Sequence, residues 1–259
     1  MTVELIDSHT HLDAEQFKDD IEQVISRAQA AGVTTLVSIG AGGSFAFESA
    51  VNAIAFAEKY DFVWATAGVH PHQSDCALDI DKLRSFAKHP KVRAIGETGL
   101  DFYRDWAPVE KQYEWFRAQI TLAIELKLPL IIHSRNAGQE CLSTLKELGA
   151  EAVGGVFHCF AENAAFAEEL FKMNFLVSFP GTVTFKKADA LREVVKAVPL
   201  EQIMIETDAP YLAPEPYRGK RCESAFMLET AKTIAALKNI SLEEFAAVVN
   251  KTTRKFYGI

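Results

Sequence analysis

The chain has 259 residues, 49% of them apolar and 24% charged, with a formal net charge of −8. That length buries a substantial core in one large α/β domain or two small ones, and the acidic balance excludes a broad surface built to coat nucleic acid. No apolar run approaches the ~20 residues that cross a bilayer, no basic stretch leads into an apolar one at the start, and the four cysteines form no CxxC pair, so a cytoplasmic protein with reduced thiols and no membrane contact is expected.

In chain order, short β-like runs alternate with helix-like ones. VELID (3–7) is followed by FKDDIEQVISRAQAAG (17–32), where Ile21, Val24, Ile25 and Ala28 form one stripe and Gly32 supplies a stop. TTLVSI (34–39), the helical AFESAVNAIAFAEKY (46–60), FVWATAG (62–68) and VRAIGE (92–97) come next. Then come the long amphipathic KQYEWFRAQITLAIELK (111–127), LPLIIH (128–133) and a helix around 138–148. AVGGVFH (152–158), a helix around 163–173, FLVSF (175–179), a helix around 187–197 and QIMIET (202–207) complete the alternation. Two C-terminal helices follow, the second opened by Ser241 and Glu244 in a capping-box spacing. Several strands are apolar on both faces, as buried parallel strands are. Eight strands alternating with helices, without linker or break in composition, predict a single-domain (β/α)8 TIM barrel over residues 1–259. A doubly wound open sheet is disfavoured because no glycine-rich loop follows the first strand.

In such a barrel the chemistry sits at the C-terminal ends of the strands. The first strand leads to His9 and His11, the third to His70 and His72, the fourth to Glu97 and Asp101. The fifth leads to His133 and Arg135, the sixth to His158, the eighth to Glu206 and Asp208; the second and seventh, ending in IGAGG and SFPGT, carry no ionisable group there. Six of the seven histidines therefore fall on one rim, and only His89 lies at the opposite end. Scattered structural histidines would not sort this way. His9 and His11, two apart on an extended strand, share a face and can grip one cation. Imidazole with carboxylate suits zinc, manganese or another divalent ion. Glu97 can bridge two ions, and two ions about 3.5–4 Å apart are a standard arrangement for phosphate-ester hydrolysis. Asp208 can bind metal and deprotonate a water, although an aspartate before Ala-Pro also suits a helix cap. Arg135 and the Arg218, Lys220 and Arg221 group suit a phosphate-bearing substrate, and Phe102 and Tyr103 can stack on a base. Trp64 and Trp115 read as core.

The strings IDSHTHLD, GVHPH, AIGETGLDFYRD, LPLIIHSR, HCF, IETDAPYLAP and YRGKR, in that order from residue 6 to 221, resemble the TatD family of metal-dependent hydrolases within the amidohydrolase superfamily. The resemblance implies a (β/α)8 barrel and a divalent-metal-dependent deoxyribonuclease of the 3′–5′ exonuclease type. It implies His9 and His11 as ligands of a first metal, Glu97 as a ligand shared by two, His133 and His158 as ligands of the second, and Asp208 as an acidic ligand that also activates water. His70, Arg135 and residues 218–221 match positions facing the substrate phosphate. Two departures stand out: the family's Asn-Glu-Pro after YRGKR is Cys222-Glu223-Ser224, and its aspartate after HSR is Asn136.

The leading expectation is a phosphodiesterase acting on DNA ends, with RNA as a second substrate, two divalent ions (Zn, Mn or Mg) per chain and a monomeric state. A related hydrolase of a small amide, lactone or phosphoester is the first alternative; such barrels often bridge their metals with a modified lysine, and no lysine stands at a strand end. A non-catalytic metal-dependent binding protein is the second.

Overall fold

The structure, a computed structural model, describes residues 3–42 and 47–259. The elements run β1 (Leu5–Thr10), α1 (Ile21–Ala30), β2 (Val33–Ser38), α2 (Glu48–Lys59), β3 (Val63–Ala67), α3 (Ile80–Ala87), β4 (Val92–Asp101) and α4 (Val109–Leu126). They continue with β5 (Leu130–Arg135), α5 (Gly138–Glu147), β6 (Gly155–Phe157), α6 (Ala164–Phe171), β7 (Phe175–Phe179), α7 (Asp189–Ala197), β8 (Ile203–Ile205), α8 (Met227–Lys238) and α9 (Leu242–Tyr257). The strands form one eight-stranded sheet in the order β1-β2-β3-β4-β5-β6-β7-β8, the (β/α)8 arrangement the alternation predicts. All eight predicted strands are present; α3 is a helix that the apolar pattern leaves unspecified. Ala46, the first residue of the predicted second helix, and Gly43 of IGAGG lie outside the described residues.

The described residues fall into two compact units. The first takes the chain up to Val37, Cys159–Glu169 and Leu176–Ile259. Here β1 is buried along its whole length, including four polar residues in a row, so each of those needs a partner. Ser8 Oγ donates to the Ile205 carbonyl at 2.8 Å, and the Tyr257 hydroxyl at the end of α9 donates to the Ser8 carbonyl at 2.8 Å. Asp7 accepts the Thr207 N–H (3.0 Å), the Thr207 hydroxyl (2.6 Å) and the His9 N–H (3.3 Å). Beyond the regular strands, the Asp208 N–H reaches the His9 carbonyl at 3.0 Å and the His11 N–H reaches Ala209 at 2.8 Å, so β1 and the segment after β8 run as one ladder.

The start of α1 is where pattern and structure differ. The predicted helix begins at Phe17, but Phe17 sits in a short 3-10 turn (Glu15–Phe17) and the α-helix opens at Ile21. The reason is packing. Phe17 fills a cluster with Val24, Ala209, Ala213 and Cys222 under the loop after β8, and Asp20, at the N-cap, has its carboxylate taken by Arg27 and Arg221 rather than by the first helical N–H groups.

The second unit takes Ser38–His158 and Leu170–Phe175. Its strands β3 to β6 pair in parallel. The β4–β5 register slips between Ile95 and Thr98, a bulge of the kind that re-aims a side chain; Glu97 lies in it. Gly96 there has φ +149, a backbone region that side chains rarely adopt, and a Cβ at Gly68, just after β3, would stand 2.6 Å from the Gly96 carbonyl carbon. Glycine at both positions lets the backbones close beside Glu97. Two buried glutamines on α4, one heptad apart and on one face, tie the strand ends down. Gln119 accepts the Val69 N–H at 2.8 Å and donates to the Val69 carbonyl and to Thr98 Oγ1. Gln112 accepts the Asp101 N–H at 2.8 Å and donates to the Asp101 and Ala107 carbonyls.

Ser241 caps α9 by accepting the Glu244 N–H at 3.0 Å. Trp115 is core as expected, whereas Trp64 is only half-buried, with the Lys91 and Arg93 head groups over its ring.

Candidate functional site

In the first unit, His9, His11 and Asp208 converge. His9 is buried within β1, one residue deeper than a strand-end position, and Asp208 follows β8. The Asp208 Oδ1 lies 3.4 Å from His11 Nε2 and 3.7 Å from His9 Nε2. The two rings stand 5.2 Å apart, edge to face. Asp208 has φ 53, a left-handed conformation uncommon outside glycine and held by its N–H bond to His9. Backbone outliers of this kind concentrate at functional sites. Asp208 therefore does not serve as a helix cap: no helix starts there.

A simple test of fit is ligand spacing. Two ligands bound at ~2.1 Å to one tetrahedral ion stand roughly 3.4 Å apart. The separations of 3.4 and 3.7 Å around Asp208 Oδ1 match that span, and two imidazoles with a carboxylate suit zinc or manganese.

In the second unit, Glu97 is 2% exposed and its Oε1 is ringed by imidazoles. His158 Nε2 lies at 2.7 Å, His133 Nδ1 at 2.8 Å and His70 Nε2 at 3.4 Å. His133 Nδ1 is itself 3.5 Å from His158 Nε2 and 3.2 Å from His70 Nε2. Burial alone would raise the Glu97 pKa, but the histidine charges and the hydrogen bonds from His133 and His158 hold it well below the usual carboxylate range. It is a carboxylate, and the donor set fits a divalent ion in place of the shared protons.

His133 is oriented from behind. Its Nε2 lies 3.1 Å from Asp101 Oδ2, which also takes His72 Nε2 at 2.6 Å. Asp101 Oδ1 accepts the N–H groups of Tyr103 and Arg104, each at 2.9 Å. With Nε2–H donated to Asp101, Nδ1 is the nitrogen that faces Glu97. This is the carboxylate–histidine pairing that fixes the tautomer of a metal-binding imidazole. Burial raises the Asp101 pKa less than these donors lower it, so it too is ionised. Burial opposes a charge on His133, but its bonds to Asp101 and Glu97 win and its pKa is raised. His70 behaves oppositely: burial pushes it down to about 3. Its Nδ1 accepts the His72 N–H at 3.0 Å, so the neutral ring carries its proton on Nε2, toward Glu97.

The structure thus groups His9, His11 and Asp208 in one unit, and Glu97, His133, His158 and His70 in the other. His89 pairs with Glu58 at 3.2 Å. The basic residues are distributed differently from the expectation. Arg135 stacks on Tyr103, its Cζ 3.9 Å from the ring centroid. Arg218 lies 4.3 Å over Phe185 and Lys220 5.9 Å over Tyr217, both exposed. Arg221 departs most from a substrate contact. Its guanidinium donates to Asp20 twice, to Glu223 and to the Gln16 carbonyl, all at 2.7–2.8 Å. It pins the loop after β8 onto α1. Of the departures from the family pattern, Cys222 is wholly buried and its thiol is pushed up by burial, Ser224 is buried, and Asn136 is exposed with φ 54.

Asp7, Asp101, Gln112 and Gln119 position the candidate ligands but carry no role in the sequence reading. Two glutamines one heptad apart on the apolar face of the fourth helix are the signal that marks such groups: a buried amide needs a partner.

Comparison with known proteins agrees with the geometry. A family model described as "TatD related DNase" matches residues 6–258. An uncharacterized metal-dependent hydrolase, YabD, of Bacillus subtilis (strain 168) is 44% identical over 257 residues, covering 98% of this chain and 99% of the relative. A protein of Rahnella sp. (strain Y9602) named 3′-5′ ssDNA/RNA exonuclease TatD is 34% identical and covers 96% of each chain. The crystal structure of YJJV, a TatD homolog from Escherichia coli k12, superposes with a TM-score of 0.91 at 27% identity, covering 100% of both chains.

Proposed function

Because the chain belongs to the TatD related DNase family of metal-dependent hydrolases, we propose that it is a divalent-metal-dependent phosphodiesterase that trims the ends of DNA, and of RNA as a second substrate, in the 3′–5′ direction. The observation that carries this reading is the pair of histidine–carboxylate clusters, supported by the exonuclease name of the Rahnella relative. One ion would sit on His9, His11 and Asp208 and another on Glu97, His133 and His158, with zinc or manganese suiting imidazole better than magnesium. When bound, such ions lower the pKa of water and neutralise charge on a phosphoryl group.

The chain's own residues do the rest. Asp208, held at one orientation by its N–H bond to His9, takes the proton of the attacking water. Glu97 keeps its negative charge beside His133 and His158. His70, neutral and protonated on Nε2, donates a hydrogen bond without adding a charge. Arg135 offers a cation to the substrate phosphate. Residues 1–259 act as one catalytic domain, as a monomer, in the cytoplasm. No described helix is long and apolar enough to cross a membrane.

The test is hydrolysis of end-labelled oligonucleotides by purified protein loaded with Mn²⁺, Zn²⁺ or Mg²⁺. A ladder receding from the 3′ end, lost by at least 100-fold in Asp208→Ala, is expected; removing a general base typically costs 10²–10⁴-fold. Intact oligonucleotides alongside turnover of a small lactone, amide or ester would move the activity to that substrate class. No turnover of either, with metal bound, would leave a binding protein.

A further inference from the structure

Beyond Asp101 the chain leaves β4 in a loop, Phe102–Ala107, that carries two large aromatic side chains into solvent. Tyr103 is 57% exposed and Trp106 60%. The loop is not loose. Asp101 Oδ1 accepts the Tyr103 and Arg104 N–H groups, the Phe102 N–H bonds the Arg135 carbonyl at 2.9 Å, and Gln112 ties down the Ala107 carbonyl at its far end. Exposed rings on a backbone fixed at both ends are presented to a partner at little ordering cost.

Cations accompany them. The Arg104 guanidinium lies 5.2 Å from the Tyr103 ring and 5.1 Å from the Trp106 ring, and Arg135 lies 3.9 Å over Tyr103. Among the described residues neither arginine pairs with a carboxylate. The patch also touches the second cluster. The Trp106 ring stands 4.5 Å from His72, which bonds Asp101, the residue that orients His133. Rings that stack on a base, interleaved with guanidinium groups that hold phosphate, are the composition of a single-strand binding surface.

We propose that Trp106 and Tyr103, with Arg104 and Arg135, form a platform that stacks a nucleobase of the bound strand and holds its phosphate. This inference rests on the phosphodiesterase reading and names how its substrate is held. Stacking on one aromatic ring contributes ~1–3 kcal/mol per base, which converts to roughly 5- to 150-fold in affinity.

The experiment uses Mn²⁺-loaded protein and a phosphorothioate thymidine 10-mer that resists hydrolysis. Tryptophan emission is expected to fall on binding, and the fall to vanish in W106F, because Trp115 is buried and Trp64 lies under Lys91 and Arg93. W106A is expected to weaken binding of the base-bearing strand by roughly 5- to 150-fold, and to bind an abasic strand of the same length as the wild type does. Unquenched emission with the strand bound overturns the proposal and leaves the patch to a protein partner. Equal losses for base-bearing and abasic strands overturn it too. Failure of the parent reading registers separately: a wild type that cleaves no phosphodiester yet shows the quench and the abasic difference keeps the platform and loses the nuclease.

Discussion

Asp101→Asn isolates the contribution of the group behind the second cluster. The aspartate accepts four hydrogen bonds, two from backbone N–H groups on Oδ1 and two from His72 and His133 on Oδ2. Asparagine keeps the shape but has only one acceptor atom. If its oxygen stays with the backbone, its NH₂ faces His133 Nε2, which must then become an acceptor, and the neutral ring's proton moves to Nδ1. That is the atom pointing at Glu97, 2.8 Å away, so the nitrogen proposed to bind the metal is blocked. If the amide flips instead, two backbone N–H groups face an NH₂, and each unsatisfied donor costs about 1–3 kcal/mol. The first arrangement wins. Loss of such a partner lowers metal affinity by about 10- to 100-fold, or roughly 1.4–2.7 kcal/mol. Calorimetric titration of Mn²⁺ into wild type and D101N reads this directly, with thermal melting as the control for folding. A D101N protein that melts like wild type and binds Mn²⁺ within twofold of it would refute the reasoning. So would a ¹⁵N spectrum of that variant showing His133 still protonated on Nε2.

Other outcomes follow from the same charges. His133 has a raised pKa between two carboxylates, so its Nδ1 must shed a proton when metal binds; calorimetry in two buffers of different ionisation enthalpy should show that release, and affinity should fall as pH drops below the raised value. In the metal-free protein the sign reverses: this ion triad stabilises the fold fully below the unfolded histidine pKa of 6.5 and loses its contribution as pH rises through the folded one. Burial pushes Asp7 up from 3.8 to about 6, so the folded chain holds that proton more tightly than the unfolded chain. Stability should therefore fall by roughly 3 kcal/mol as pH climbs through that window, and D7N should flatten the slope in urea unfolding; an unchanged slope would remove Asp7 from the account. Arg221→Ala should lower stability by about 1–2 kcal/mol by breaking the network with Asp20 and Glu223, one of whose carboxylates is largely buried. An R221A protein that melts like wild type but loses oligonucleotide affinity would return Arg221 to the substrate.

The sequence by itself determined the alternation of eight strands with helices, because apolar runs and amphipathic stripes are local patterns that the backbone period converts directly into strand and helix. It also determined which residue types gather at strand ends, since His9, His133, His158 and Asp208 each follow a recognisable apolar run. What it left undetermined is whatever depends on partners distant in the chain. Whether Arg221 meets a phosphate or an aspartate is decided by Asp20, 201 residues away. The late start of α1 comes from Phe17 packing under a loop near residue 213. Glu97 is aimed by a bulge in the register of β4 on β5, and His133 owes its tautomer to Asp101 across a strand pair. Hydrogen-bond satisfaction of buried polar groups is a property of the packed interior, and no period in the sequence records it. Only the tertiary structure decided which of the polar residues converge into clusters that could hold a metal, which hold those residues in place, and which, like Trp106, stand outside with a face to offer.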